Sequence, residues 1–524
     1  MVTKRILKTR RILKTRKLNG GQVIASGAYG CVFNPVLKCV NATKRETNKI
    51  TKLMIEENAI KEYEQINFIK LKLETIKNYS DYYLINDITI CRPSKISSAD
   101  LLNYSTKCRV LAKSNITSTN INSNLDKIMA LNIQNGGLQV DDFLYDNGSF
   151  ENIYKLHMGL VKLLKKGIIP MNQENIYHCD IKDSNILVDK SQPEFKPRLI
   201  DWGLSTEYIP FVDYPFPQLW RNRPIQFNVP FSVIIFTDSF YEKYTHFIKK
   251  GGIPNEEQLK PFVVDYINFW MKEKGPGHFK FINEIMTILF TNDLTDIAPE
   301  EKPKVIEEQI TMTYIVDYII DVLVHFTKFK ENGALNLREY IDNVFIQIVD
   351  IWGFISTYYP IIELLSNSFN TLSRSVMKIF KQLQFIFVEY LYNPRHEPID
   401  MKMLYSDLKL LGQFLHINLH GSLDTYISPV SKSESESESE SESKSKSKSK
   451  SKSKSESESE SKSKSKSKSK SKSKSESKSD SESKSKSKSK SKSKSDTPDV
   501  SIHKSPEAIK NTEELVNNSD EQSI

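Results

Sequence analysis

The chain has 524 residues and a formal net charge of +9, with 38% hydrophobic and 27% charged residues. That length suits two or three domains or one large one. No uncharged apolar run of about 18 residues occurs, which excludes a simple membrane-spanning helix. The charge is uneven: residues 1–17 carry eight Lys/Arg and no acid, and residues 431–496 carry 21 Lys against 12 Asp/Glu, so the body between them is slightly acidic. Basic binding is therefore expected of the tails and not of the fold. The five cysteines (Cys31, Cys39, Cys91, Cys108, Cys179) are odd in number and form no C-x-x-C pair. They predict a reducing compartment, with neither a disulfide frame nor a zinc site. The N-terminus lacks the apolar core of a secretory signal.

Residues 5–16 repeat RILKTR twice. This reads as a disordered basic tail, or as a nuclear-import, nucleic-acid, anionic-lipid or transit-type segment. At 22–34, QVIASGAYGCVFN predicts strand, glycine turn, strand, a shape that can lay backbone over phosphates. Lys49–Ile55 predicts a further strand, with Lys52 in it and Lys49 at its start. A helix follows over 57–75, with Ile60, Tyr63, Ile66, Phe68 and Ile69 apolar. Glu62 or Glu64 is placed to meet Lys52, and Glu62 is preferred because Ile66 and Ile69 sit four and seven residues beyond it. Two strands are expected over 83–90 and 127–133, separated by a Ser/Asn/Thr-rich surface loop at 94–124. Glu151–Gly167 predicts an amphipathic helix with a cationic last turn and a Gly stop. Its His157 reads as a core histidine.

The stretch Tyr177–Gly203 carries the chemistry. A polar loop, His178-Cys179-Asp180-Ile181-Lys182-Asp183-Ser184-Asn185, runs into the strand Ile186–Val188. A Pro-containing turn leads to a second strand that ends on Asp201-Trp202-Gly203. Such a hairpin can bring Asp180, Asn185 and Asp201 together as hard oxygen ligands. Helical patterns fill 235–340, and Asp350-Ile351-Trp352-Gly353 lies within a long apolar helix at 341–364. Helices continue to about His416. Residues 431–496 alternate Ser with Lys or acid and have too little apolar surface to offset the entropy of ordering.

These motifs resemble the protein-kinase family. Its catalytic loop H-R-D-L-x-x-x-N matches 178–185, its D-F-G matches 201–203, its V-A-I-K lysine matches Lys52, and its central-helix D-x-W-x-x-G is similar to 350–353. The glycine loop G-x-G-x-x-G-x-V is matched at Gly27, Gly30 and Val32, with Ala25 in place of the first Gly. The resemblance implies an α+β, bilobal fold over 20–426. It comprises an N-lobe at about 20–135, a C-lobe at about 136–426 and a helical insertion at about 235–340, between a basic tail (1–19) and a disordered tail (427–524). It implies ATP bound by Ala25, Ser26, Gly27, Ala28, Tyr29, Gly30, Val32, Lys52 and Glu62, and Mg²⁺ held by Asn185 and Asp201. Asp180 would act as catalytic base, Lys182 beside it. The adenine would dock near 128–137. Residues 204–231 would be the activation segment, with Asn228-Val229-Pro230 in place of A-P-E. The departures Cys179 and Trp202 touch neither metal nor phosphate, so the implied activity is transfer of the γ-phosphate to Ser/Thr hydroxyls of proteins. An ATP-binding pseudokinase scaffold and a small-molecule phosphotransferase remain the alternatives. The expected partners are protein substrates, the chain's own Ser-rich tail by autophosphorylation, and nucleic acid through the basic tails. In style the chain resembles kinase-like proteins of giant DNA viruses, which implies an intracellular setting in host cytoplasm or virion.

Overall fold

The computed structural model describes residues 22–27, 29–189, 194–213, 215–251, 254–328 and 334–419. The expected tails, the turn at 190–193 and Ala28 lie outside them. A β-rich N-terminal region precedes a mostly helical remainder. The first sheet has the order β1-β2-β3-β5-β4, antiparallel throughout. Its strands are β1 (Gln22–Ser26), β2 (Gly30–Asn34), β3 (Lys49–Ile55), β4 (Thr89–Cys91) and β5 (Ile128–Gln134). Thr51–Met54 are all buried, because helix α1 (Glu56–Leu73) and a second apolar layer cover the two faces of β3. The buried stripe of α1 is Ala59, Glu62, Ile66, Ile69 and Leu73, at helical spacing. The expected apolar positions Ile60 and Phe68 are instead 39% and 41% exposed, because they fall off that stripe.

Three expectations are corrected here. The strand expected over 83–90 is confined to Thr89–Cys91. Leu84 instead donates to the carbonyl of Leu199 at 3.0 Å, and Asp87 breaks the extended run with a left-handed φ of 53°. The 94–124 stretch is not a surface loop. It carries helices α2 (Tyr104–Lys107) and α3 (Arg109–Lys113) and buries Ile96, Tyr104, Leu111, Ile116 and Ile121 against β1 and β2. Its apolar residues are real anchors diluted among Ser and Asn. Finally, the chain has disulfides: Cys31–Cys108 staples this stretch to β2, and Cys39–Cys91 staples β4 to the connection between β2 and β3; Cys179 alone is free. The pairs lie 77 and 52 residues apart, so no local spacing announces them.

The helical part begins after a short strand β6 (Leu138–Gln139), with α4 (Val140–Asp146), α5 (Phe150–Leu163) and α6 (Ile169–Gln173). Strand β7 (Ile176–Tyr177) leads to the hairpin of β8 (Ile186–Asp189) and β9 (Lys196–Leu199), which forms a sheet of order β6-β8-β9; β10 (Thr206–Glu207) pairs with β7. Helices α7 (Asp238–Gly251), α8 (Glu256–Lys274), α9 (Phe279–Leu289), α10 (Lys302–Lys304) and α11 (Met312–Phe326) fill the region expected to be a helical insertion. Then come α12 (Leu337–Tyr340), α13 (Ile346–Ser356), α14 (Tyr359–Ser366), α15 (Arg374–Phe387) and α16 (Met401–Ile417). The run Leu337–Ser366 is long and apolar enough to cross a membrane, but 89% of its apolar window is buried in the fold. Every residue from Ile348 to Ser356 is buried. His157 on α5 is a core histidine, its Nδ1 3.0 Å from the Tyr358 hydroxyl.

The disulfides give a direct expectation. Denatured, unreduced protein should expose one titratable thiol, Cys179, rising to five after reduction. Reduction should lower stability by about 2–4 kcal/mol per bridge, read as a lower denaturant midpoint. Five thiols without reduction would refute the pairing.

Candidate functional site

The ion-pair core of the site sits between β3, α1 and the segment after β9. Lys52 Nζ lies 2.7 and 2.9 Å from the Glu62 carboxylate oxygens and 3.1 Å from Asp201 Oδ1. Glu62 is thus the helix partner, not Glu64, and Lys49 instead pairs with Glu46. Burial opposes the charge on Lys52, yet Asp201 and Glu62 outweigh it and raise the ammonium above its ordinary value. Burial likewise works against the Asp201 carboxylate, but Lys52, with help from His178 and Lys182, pulls it below the usual range. Glu62 goes the other way: burial raises it despite Lys52, and nearby Asp201 adds to the rise. Two carboxylates share one ammonium, so the cluster carries surplus negative charge. The Asp201 side chain is 39% exposed, which leaves this hard oxygen donor reachable by a divalent cation.

The second group is the 178–185 loop. Asp180 Oδ2 accepts from Lys182 Nζ at 2.8 Å and from Asn185 Nδ2 at 2.9 Å. Asn185 also donates to the Asp180 carbonyl at 2.8 Å. The two groups are tied together through backbone: the Ile200 amide donates to the Asn185 carbonyl at 3.0 Å, and His178 Nε2 lies 3.0 Å from the Ile200 carbonyl. Trp202, expected to replace Phe as a bulky apolar anchor, is buried and packs on Tyr83 and His178 with ring centroids 5.7 and 5.0 Å apart. Cys179 and Asp201 both hold left-handed φ values, 58° and 65°. Strain of that kind in non-glycine residues persists only where surrounding contacts over-determine it.

Those contacts come from the central helix. Asp350, fully buried, accepts from the backbone amides of His178 and Cys179, each at 2.8 Å, and from Asn172 Nδ2 at 2.8 Å. Burial raises its carboxyl, while His178 and these donors resist the rise. A Cβ on Gly353 would stand 2.6 Å from the Ile181 carbonyl oxygen, so the helix backbone touches the loop there and only glycine fits.

The glycine turn is placed differently from its expected use. Ala25 is not at a tip; it lies within β1, paired with Val32 beyond an irregularity in register, and Ser26 ends that strand. Gly27 donates to the Gly30 carbonyl at 2.9 Å to close the turn. Tyr29 is exposed. Gly30 is buried, and a Cβ on it would meet Met54 Cγ at 2.6 Å, so that glycine serves close strand packing. Val32 sits opposite Lys52 in register. Among the described residues, no hydrogen bond or ion pair joins this turn to Asp180 or Asp201.

Three further residues join the site from far along the chain. Asn228 Nδ2 donates to Asp180 Oδ1 at 2.9 Å and to the Ile181 carbonyl at 3.2 Å. Buried Arg223 donates through Nη1 to the Cys179 carbonyl at 2.9 Å. Burial pushes the Cys179 thiol well up, with Asp350 adding to it, which makes the thiol inert. Burial pulls the His278 imidazole down, and the charge of Lys182 adds to this while Asp180 opposes it. Asn228 was expected only as part of a stand-in for A-P-E, Arg223 only as a member of the irregular 204–231 segment, and His278 was not expected. Contacts made 44 and 48 residues apart leave no mark on local spacing. No protein-family model and no curated protein matches the chain.

Two outcomes follow. Asp350→Ala strands buried amide donors, each worth about 1–3 kcal/mol, and should destabilise the protein by about 3–5 kcal/mol in denaturant melts; a neutral effect would show that the loop holds itself. Asp183 is pushed up to about 6, first by burial and then by Asp141. A raised carboxyl stabilises fully below the ordinary carboxylate value and loses that contribution as pH climbs through about 6. Asp183→Asn should therefore stabilise at pH 8 by on the order of 1–2 kcal/mol and have little effect at pH 4. Equal effects at both pH values would contradict this.

Proposed function

We propose that the chain is a protein serine/threonine kinase. The observation that carries the reading is the Lys52–Glu62 pair, 2.7 Å, with Asp201 3.1 Å from the same ammonium. An intact strand-lysine to helix-glutamate pair beside the metal-motif Asp is what phosphoryl transfer in protein kinases requires. The sequence of a five-stranded antiparallel sheet with α1 after β3, then a hairpin-bearing helical part, supports a bilobal kinase-like fold.

In this reading Lys52 holds the α/β-phosphates of ATP, and Glu62 keeps the lysine extended toward them. Asn185 and Asp201 are the residues that would hold Mg²⁺, which when bound neutralises charge on the phosphate oxygens. Their donor chemistry fits: one reachable carboxylate and one amide, tied together by the 3.0 Å bond from Ile200 to Asn185. Asp180 orients the acceptor hydroxyl and takes its proton. Asn185 and Asn228 fix both of its oxygens by hydrogen bonds of 2.9 Å. Lys182, 2.8 Å from Asp180, supplies positive charge where the transferring group develops negative charge. The serine-rich tract at 431–496 is the proposed self-substrate.

The test is transfer of labelled γ-phosphate from Mg-ATP to a generic basic protein and to the full chain itself. Wild type should incorporate label, and Lys52→Met and Asp180→Asn should each lose at least about a hundredfold. Removal of residues 427–524 should abolish self-labelling and spare the added substrate. A thermal shift with Mg-ATP that Lys52→Met removes, without transfer by wild type, would replace the kinase by a nucleotide-binding pseudokinase. Neither transfer nor shift would sink both readings.

A further inference from the structure

Far from the site in sequence, a second cluster of ligating side chains brings two histidines onto one aspartate. Asp321 and His325 lie one turn apart near the end of α11, and His396 lies in the segment between α15 and α16. The two imidazoles are stacked with centroids 3.5 Å apart and planes within 6°. Both face the same carboxylate: His396 Nδ1 is 3.0 Å from Asp321 Oδ2, and His325 Nδ1 is 3.3 Å from Asp321 Oδ1.

We propose that Asp321, His325 and His396 form a divalent-metal site of the zinc class that clips helix α11 to the segment leading into α16. Four observations support it. The donor set, two imidazoles and one carboxylate, is the nitrogen/oxygen chemistry that zinc and its neighbours take. A tetrahedral ion bound at about 2.0–2.1 Å spaces its donors roughly 3.3 Å apart, and Asp321 Oδ1 lies 3.1 Å from His396 Nδ1 and 3.3 Å from His325 Nδ1. The three donor atoms lie within 4.8 Å of one another, and because an imidazole binds an ion in its own ring plane, loading turns the two rings out of their parallel stack. The histidine side chains are 42% and 39% exposed and the aspartate 18%, so an ion has an entry path and a fourth position open to water. On loading, His325 gives up the 2.8 Å contact that its Nδ1 makes with the Asp321 carbonyl. The absence of C-x-x-C excluded a cysteine zinc site in the sequence; this set uses no cysteine and spans 75 residues.

The inference is independent of kinase activity. It is tested on untagged full-length chain, stripped with chelator and titrated with Co²⁺, following the visible ligand-field absorption, and with Zn²⁺, following thermal unfolding. One Co²⁺ per chain should give a saturable band, and Zn²⁺ should raise the unfolding temperature by mass action on the folded state. His325→Ala and His396→Ala, both at half-exposed positions and checked for native circular dichroism, should each weaken binding by roughly tenfold or more and remove the Zn²⁺ shift. His396→Gln serves as a second variant should the alanine disturb folding. Binding no tighter than millimolar, no saturable band, or equal binding by the His325→Ala/His396→Ala double variant would overturn the proposal.

Discussion

One helical run, Leu337–Ser356, holds the rest of the site in place with two buried carboxylates about two turns apart. Asp350 takes the amides of His178 and Cys179. Asp342 takes the Tyr208 hydroxyl and, at 3.1 Å, the Phe211 amide. One carboxylate fixes the loop that carries Asp180, and the other fixes the chain that leaves Asp201. Burying a carboxylate costs several kcal/mol unless its lone pairs are filled. The loops supply most of the partners, with Asn172 completing Asp350 and Arg338 of the same run completing Asp342, so each carboxylate loses donors without its loop and each loop loses its anchor without the helix. That mutual dependence makes the geometry cooperative.

The same logic, with the sign of the charge reversed, governs the ion-pair core around Lys52. Lys52 is buried where an ammonium should not be, and it stays charged because Asp201 and Glu62 flank it. The arrangement is over-supplied with negative charge, and Glu62 registers this as a raised carboxyl. A buried ion triplet of this kind is weak evidence for stability, since well-packed apolar groups often do as well. It is better evidence for use, because perturbed groups gathered at an accessible mouth are where charged substrates are handled.

Sequence reading reached the site through residues whose partners lie close along the chain or whose motif has fixed spacing. Asp180, Lys182 and Asn185 fall within one loop, and Glu62 was legible because Ile66 and Ile69 put it on the buried side of α1. What stayed hidden was long-range. Cys31–Cys108 and Cys39–Cys91 are closed by tertiary folding, and an odd cysteine count pointed away from them. The apolar anchors between 94 and 124 were masked by their Ser/Asn surroundings. Asn228 and Arg223 meet the 178–185 loop from segments whose own composition reads as irregular chain. The glycine turn was legible as a turn, but the reason for Gly30 was not: it is the near side of β3, and Met54, that forbid a side chain there.

The helices at 238–326 would look like an insertion that could be removed, since they separate the 204–231 segment from the central helix in sequence. Their contacts argue otherwise. Trp270 of α8 donates to the Arg223 carbonyl at 2.9 Å, and Arg223 in turn donates to the Cys179 carbonyl. Tyr266 donates to the Ile234 carbonyl at 2.8 Å. Phe231 packs edge-on against Trp352 and Tyr318 and stacks with Tyr392, with centroids 5.4–6.0 Å apart, so α11 shares one aromatic cluster with the central helix. Aromatic pairs of this geometry add about 0.5–1.5 kcal/mol each beyond their buried area. The loop bearing Asp180 is thus clamped from two sides, by Asp350 on its amides and by Arg223 on its carbonyl, and α8 helps to hold Arg223 in place. The helices at 238–326 are therefore part of what holds the site's backbone, and not a module resting beside it.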